Sequence, residues 1–419
     1  MHAADVVVIG AGAAGVAAAR RLSAAPLSVL VLEGRSRVGG RAWTLRDPSG
    51  LPLDLGCGWL HSADENEWAR IAGEVGFAID PTPPPWSRRS NQLNFSAADQ
   101  DDFADAWDRF DERIEAAAGD ARDRPASDCL EPDGRWNALL DALSTYINGV
   151  ELDQLSVHDF VRYRNTGVNW RVVEGYGALV AACARHLDVK LDCPVTRIDH
   201  SGARVRVETP RGAIHARSAV ITVPPPLIAS GALNFAPALQ DKVEAAAALP
   251  LGLADKVFLR VDRPDDLPVQ TRLFGATDRT ATGSYHLRPF GSPLIEGYFG
   301  GRLARELEAE GDGAFARFAI DQLAALLGNN MRTRLTPIAA SAWGCDPHAR
   351  GSYSYGKVGG TGARAALAAP VDGRLFFAGE ACSINDYSTA HGAYRTGVAA
   401  AEQAMHMLTG RIDHTSAAE

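Results

Sequence analysis

Val6-Val7-Val8-Ile9-Gly10-Ala11-Gly12-Ala13-Ala14-Gly15, followed by an Ala-rich run over residues 16–22, is the stretch that decides the fold. An unbroken apolar run, a glycine-rich turn and a helix-forming segment predict strand, tight turn and helix in succession. The glycines have separate jobs: Gly10 takes the turn, Gly12 lets backbone approach a pyrophosphate, and Gly15 lets the helix pack closely on the strand. The first helical turn, which includes Ala14, offers that anion unpaired N–H groups and the positive end of the macrodipole. A second strand over residues 28–32 ends at Glu33, near the roughly 20-residue spacing of a carboxylate that hydrogen-bonds a ribose hydroxyl. An acid there repels a 2′-phosphate, which disfavours NADP. An ordinary Gly/Ala turn uses the same letters, but here strand, helix and acid all fall where dinucleotide binding needs them. NAD and FAD both stay open at this point.

Gly34-Arg35-Ser36-Arg37-Val38-Gly39-Gly40-Arg41 continues from the acid. Gly39 and Gly40 let backbone close over a cofactor, and Arg41 is left to fork onto phosphate oxygens. This opening resembles the FAD-binding segment of the flavin amine oxidase family. Further on, Gly56-Cys57-Gly58-Trp59-Leu60-His61 lies inside an apolar stretch. Those letters suit a backbone lying against a flat ligand, and equally a glycine-rich turn over a buried Trp59. They resemble the segment that passes beside the isoalloxazine in polyamine and spermine oxidases, where His61 takes the place of a histidine two positions after the tryptophan.

Residues 374–381 read as a buried strand ending in Gly379 and Glu380, and Thr389-Ala390-His391-Gly392 opens a helix running to about residue 408. First-turn N–H groups there favour the anion that reduced flavin carries at N1. The stretch resembles the family's C-terminal FAD signature. By that resemblance Glu380 lies at the ribityl and phosphate region, and Thr389 stands where the second tyrosine of an aromatic cage falls. Tyr353 matches the other cage wall, although core packing is the plain reading of Tyr353 and Tyr355. Ser352 replaces the cysteine that mammalian monoamine oxidases bond to the flavin, so non-covalent FAD is implied. From residue 189 the pattern returns to strands, over 195–198, 205–208 and 219–223. Val195 matches the family residue whose backbone touches adenine. Residues 254–261 alternate, with Lys256 and Phe258 on one face and Val257, Leu259 and Val261 on the other. A lysine there reads from its surroundings as a snorkelling edge residue. The resemblance instead makes Lys256 the lysine that holds a water at flavin N5.

At 419 residues, 46% of them hydrophobic and 22% charged, the chain is long enough for two or three domains with a sizeable core. A net charge of −9 without a basic run argues against nucleic acid and anionic membrane surfaces as partners. No apolar run nears the roughly 20 residues that span a bilayer. Cysteines 57, 129, 183, 193, 345 and 382 form no CxxC pair, so neither a metal site nor a redox dithiol is indicated and a cytoplasmic compartment is expected. Residues 62–165 read as mostly helical, with the charges of an acidic helix over 99–118 forming a solvated face. Residues 266–340 read as strands with one long helix, 313–327.

The resemblance implies an α/β fold of two domains, α+β in overall arrangement. A Rossmann-like FAD-binding domain would be assembled from residues 1–61, 187–235 and 368–419, and a mixed-sheet and helix substrate domain from 62–186 and 236–367. It implies a monomeric or homodimeric amine oxidase whose partners are oxygen and a small-molecule amine, a polyamine or another primary or secondary amine. Lys256, His61 and Tyr353 are then the catalytic candidates, and Trp59 and Thr389 join His61 and Tyr353 around the substrate. A flavin desaturase or dehydrogenase of an isoprenoid, and a non-catalytic FAD-bound scaffold, are the rival readings.

Overall fold

Residues 3–87 and 95–410 are described by the structure, a computed structural model. Residues 1–2 and 411–419, the outer ends of the expected FAD segments, lie outside the described residues. In chain order the strands are β1 Ala3–Ile9, β2 Val29–Leu32, β3 Thr44–Arg46, β4 Pro52–Asp54, β5 Leu60–His61, β6 Ile79–Asp80, β7 Asn169–Val172, β8 Val189–Lys190, β9 Arg197–Asp199, β10 Val205–Thr209, β11 Gly212–Ile221, β12 Asn234–Ala236, β13 Ala254–Val261, β14 Thr271–Phe274, β15 Ser284–Leu287, β16 Leu294–Gly300, β17 Leu335–Ala340 and β18 Leu375–Phe377.

Eight of these make the first sheet, in the order β12-β9-β10-β11-β1-β2-β8 with β18 also paired to β11. The neighbours of β1 run parallel to it, as does β18 to β11, whereas β9, β10 and β11 form an antiparallel meander. Parallel strands buried on both faces read as continuous apolar runs, which is why the opening run shows no alternation. Val7, Ile9, Ala219, Ile221, Leu375 and Phe377 face one core. Val6, Val8, Val220 and Phe376 face another, shared with the helices Ala13–Leu22 and Ala390–Thr409.

The second large sheet is antiparallel, in the order β14-β15-β16-β13-β17. One face is sealed by Val257, Leu259, Ile295 and Phe299 packing on the helices Gly301–Glu310 and Ala314–Leu327. The sequence predicts only the second of those helices. The two are separate because Gly311 and Gly313 take φ of +84° and +77°, outside the helical region. A hairpin of β3 and β4 and a small sheet β5-β7-β6 complete the architecture. The strand expected over 195–198 starts later, at Arg197, and the one expected over 219–223 is the end of the longer β11, which stops at Ile221. β18 is short because the chain turns at Gly379, with φ +140°, into the single 3-10 turn Glu380–Cys382.

Candidate active site

A cavity of about 1070 Å³ is lined by residues of both large sheets, the loop 55–59 and the helix Ala97–Ala118. That exceeds the roughly 300–1,000 Å³ of a pocket for one small ligand, leaving room for a dinucleotide and a second molecule. Every residue expected at cofactor or substrate lines it except Gly15. The exception has a geometric reason: a Cβ at Gly15 would sit 1.9 Å from the Gly10 carbonyl oxygen, so its absence lets the helix Ala13–Leu22 abut the end of β1. Gly10 itself has φ +102°. At Gly12 an added Cβ would meet nothing nearer than 3.8 Å, so the protein has space there that a ligand can use.

The helix Ala13–Leu22 has no side-chain cap and no acid in its first turn, which leaves its N–H groups for an anion. Glu33, buried at the end of β2, accepts from Ala11 N at 2.8 Å and from Arg35 N at 2.9 Å, tying the glycine turn to the strand. Arg35 forks onto Asp346 at 3.1 and 2.8 Å, so its guanidinium is fixed along the cavity edge. These features fit FAD: an anion cradle, an acid at the ribose position, and a second helix end across the cavity. That second helix, Ala390–Thr409, is capped by Thr389, whose hydroxyl accepts from Gly392 N at 2.9 Å and donates to Asp386 O at 2.6 Å.

Arg41 Nη1 donates to Glu380 Oε1 at 2.9 Å and to Ser352 O at 2.7 Å. The arginine read from the sequence as a phosphate fork is thus held on one side by a carboxylate. Glu380 Oε2 accepts from the Ser354 hydroxyl at 2.6 Å and from Ser388 N at 2.9 Å. Burial alone would raise its carboxyl, but Arg41, Ser354 and Arg364 outweigh burial and hold it below the usual range. Arg364 donates to the Ser354 hydroxyl at 2.8 Å and forks onto Asp159 at 2.8 and 2.7 Å. Sequence reasoning missed Arg364 and Asp159, because an arginine in an Ala-rich helix looks like an ordinary surface charge.

The cavity-facing side of the second sheet follows from its register. Lys256 pairs with Tyr298 and Tyr298 with Ser284; Phe258 pairs with Glu296, Glu296 with His286, and His286 with Arg272. Lys256 stands on β13, an interior strand, so it is not an edge residue, and its side chain is 12% exposed. Its Nζ donates to Asp54 O at 2.9 Å and to Glu296 Oε1 at 3.0 Å. Glu296 is fully buried and also accepts from Arg171 Nη1 at 3.1 Å through Oε2. Burial opposes its charge, but Lys256 and Arg171 hold its carboxyl down at about 2. Burial, with Arg171 nearby, pushes His286 down to about 3, so that ring is neutral. The Arg171 guanidinium lies 5.0 Å from the Trp59 ring and 5.0 Å from that of Phe290. Neither Glu296 nor Arg171 was flagged from sequence. The available signal is a single charge inside an otherwise apolar strand, as in Leu294-Ile295-Glu296-Gly297-Tyr298-Phe299.

Trp59 is buried, with Trp86 edge-on at 4.5 Å and His286 stacked at 6.2 Å. Tyr353 is half-buried; its hydroxyl donates to Tyr146 O, and burial raises that hydroxyl's pKa. Asn169 Nδ2 donates to Gly167 O at 2.9 Å, which turns its Oδ1 towards His61 Nδ1 at 2.6 Å. His61 therefore carries its proton on Nδ1, leaving Nε2 as the acceptor. Burial lowers its pKa and keeps the ring neutral. In the 55–59 loop, burial pushes the Cys57 thiol up to about 12, which makes it inert. The acidic helix Ala97–Ala118 is not simply solvated: half-buried Asp111 and, one turn on, Glu115 line the cavity.

Residues 13–126 and 86–405 match the family described as flavin containing amine oxidoreductase. Polyamine oxidase 4 of Oryza sativa subsp. japonica is 31% identical over 435 residues, covering 95% of this chain and 88% of the relative. Polyamine oxidase 2 of Arabidopsis thaliana is 32% identical over 446 residues, covering 95% and 87%. The solved structure of putrescine oxidase bound to putrescine matches with a TM-score of 0.78 at 18% identity, over 95% of this chain and 98% of that one, a likeness of fold. Cradle, cavity and relatives together define an FAD-dependent amine oxidoreductase. The chain belongs to the flavin-containing amine oxidoreductase family. No helix among the described residues is long and apolar enough to cross a membrane.

Proposed function

We propose that the enzyme is an oxidase of polyamines, with oxygen as the final acceptor and with the FAD domain assembled from residues 1–61, 187–235 and 368–419. The reading is carried by one observation: a single cavity is lined by the glycine cradle, by Lys256, Trp59 and Tyr353, and by the carboxylates Asp111 and Glu115. When bound, FAD supplies a hydride acceptor at N5 for the carbon beside the amine nitrogen, and oxygen then takes the electrons to give hydrogen peroxide while water hydrolyses the imine.

The chain's own groups prepare that chemistry. Trp59 and Tyr353 wall a dry region that disfavours the ammonium form of the reacting nitrogen, which must be neutral to release hydride. His61 Nε2 accepts the proton that leaves. Lys256 Nζ holds a water beside the reacting centre. Burial raises the Asp111 carboxyl, a Trp107 hydrogen bond opposes this, and Asp108 and Glu115 add to it. A distal ammonium group of a polyamine relieves that repulsion, a feature a monoamine lacks. The polyamine oxidases among the relatives support the same substrate class.

The test is anaerobic mixing with spermine, spermidine, putrescine, benzylamine and L-amino acids. Polyamines are expected to bleach the flavin absorbance and, in air, to yield one peroxide per amine oxidised. Failure of every amine to bleach it sinks the oxidase reading, and bleaching without peroxide turns it into a dehydrogenase. Asp111→Asn is expected to raise the polyamine KM by up to about fivefold, the worth of one partly exposed ion pair, and to leave a monoamine unaffected.

A further inference from the structure

Glu296 has no role in the chemistry just described, yet it is the most completely buried charge on the cavity side of the second sheet, at 0% exposure. Both of its oxygens are committed: Oε1 to Lys256 Nζ at 3.0 Å and Oε2 to Arg171 Nη1 at 3.1 Å. A carboxylate so engaged is not free to take the ammonium group of a substrate. We propose that Glu296 is a positioning residue for amine oxidation, fixing the Lys256 ammonium and the Arg171 guanidinium on either side of one carboxylate so that Lys256 and Trp59 keep their places at the cavity. The proposal rests on the reading of Lys256 as a group that acts beside the flavin.

A lysine stem is long and flexible, and an ammonium has three N–H donors. Two of them are taken, by Glu296 Oε1 and by Asp54 O at 2.9 Å, and these two anchors define the direction of the third. Removing either anchor returns the ammonium to several rotamers. Glu296 acts on the opposite wall as well. Arg171 stands on β7, beside the strand β5 that carries His61, and its guanidinium lies between the rings of Trp59 and Phe290. Between the two cations runs the 55–59 loop: a Cβ at Gly58 would come 3.1 Å from Lys256 Nζ and 3.5 Å from Arg171 Nη2. One carboxylate therefore joins β13 and β16 to β7 and to the loop that presents Trp59. Without it, two cations face each other in a space with little water, an arrangement that low dielectric penalises heavily.

The experiment is a double-mutant cycle on the holoenzyme, with Lys256→Met, Glu296→Gln and the pair, read by stopped-flow flavin reduction and reoxidation. Glu296→Gln is expected to keep its FAD and to slow whichever flavin step Lys256→Met slows, by a factor within the range of about 10²- to 10⁴-fold that a positioned proton carrier is worth. The pair is expected to be slower than Lys256→Met alone by much less than the full Glu296→Gln factor, because Glu296 acts chiefly through Lys256 and only its hold on Arg171 and Trp59 is left to lose. Wild-type rates in Glu296→Gln, or a pair slower by the product of the single effects, overturn the proposal. Unchanged rates in Lys256→Met remove the underlying reading of Lys256 instead, and so separate the two failures. A second readout needs no activity: the melting midpoint of FAD-free protein. Glu296→Gln is expected to lower it, and adding Lys256→Met to recover part of the loss by removing one of the two facing cations; losses that simply add overturn the coupling. Should Glu296→Gln not fold, the pair is compared with Lys256→Met directly, where flavin rates within about tenfold support the proposal and a slowing of about 10²-fold or more, the effect of a group acting on its own, overturns it.

Discussion

Lys256 is where two readings of one residue part company. A surface lysine replaced by methionine changes stability by about half a kcal/mol and leaves turnover alone. Lys256 sits on an interior strand with its ammonium bound to Glu296 and Asp54, so Lys256→Met leaves Glu296 with Arg171 alone. Breaking a buried pair costs about 3–5 kcal/mol, and the 12% exposure of the Lys256 side chain places this case at or below the lower end. The expected result is a protein that still folds and binds FAD but whose flavin reduction, reoxidation or both fall by about 10²- to 10⁴-fold. Stopped-flow absorbance follows reduction by amine without oxygen and then reoxidation with it. Wild-type rates for both steps in a fully flavinylated variant would leave Lys256 with a structural role only. The strand and the facing of Lys256 were legible in the sequence, because alternation over residues 254–261 reports which side chains share a face. Its partner was not: Glu296 meets Lys256 only through the register of β13 against β16, and register over a 40-residue separation leaves no local trace.

Among the elements, the strand–turn–helix at the opening separates a glycine that serves the ligand from one that serves the fold. At Gly12 an added Cβ has only ordinary contacts, the nearest at 3.8 Å, whereas at Gly15 it would overlap the Gly10 carbonyl at 1.9 Å. Gly12→Val is therefore expected to fold and to emerge colourless, because its side chain fills the pyrophosphate space. Gly15→Val is expected to lose the close approach of helix to strand and to melt well below wild type whether or not FAD is present. Glu33→Gln removes one charge-assisted interaction, worth roughly 1.5–3 kcal/mol, and is expected to weaken FAD retention without abolishing it. Flavin content after gel filtration and melting curves check all three, and full flavin occupancy in Gly12→Val would show the turn to be misread. These elements were legible because a parallel strand, a glycine turn and an Ala-rich helix each leave a local signature. What lay between was harder to read. Residues 266–340 held a helix that the sequence did not announce, and the Asp159–Arg364–Ser354–Glu380 chain joins segments far apart in sequence through side chains that look unremarkable singly.

For the whole molecule, the cavity proposed to hold FAD is lined by both large sheets, and Ser352 offers no group to attach it. The Ser352 hydroxyl accepts from Ala254 N at 2.8 Å and donates to Ala254 O at 2.7 Å, a bridge to β13 with no thiol to bond a flavin. Acid precipitation is expected to leave a colourless pellet and yellow supernatant; colour that stays with the pellet would mean a covalent link.

Stability against pH tests the joint between the second sheet and the segment leading to Tyr353. Asp255, 1% exposed, accepts from the Ser341 hydroxyl at 2.7 Å and from Trp343 N at 3.1 Å through Oδ1, and the Glu308 carboxylate lies within reach of its carboxyl. Burial pushes its carboxyl up to about 8; the Ser341 bond opposes this and the nearby Glu308 carboxylate adds to it. Its folded pKa thus lies above the ordinary value of 3.8, so the folded chain holds a proton that the unfolded chain releases. The sign follows: the stabilisation is complete below about 4, declines as pH rises, and is gone once pH passes about 8. Asp255→Asn keeps the Oδ1 acceptor and replaces the acid proton with an amide that cannot ionise. Relative to the variant, wild type is therefore expected to lose melting temperature steadily between pH 5 and pH 8 and to level off above that. Melting curves of the two proteins across that range decide the matter. A constant difference, or a wild type that gains on the variant as pH rises, would mean that Asp255 is ionised in the folded chain and that Ser341 and Trp343 bind a carboxylate.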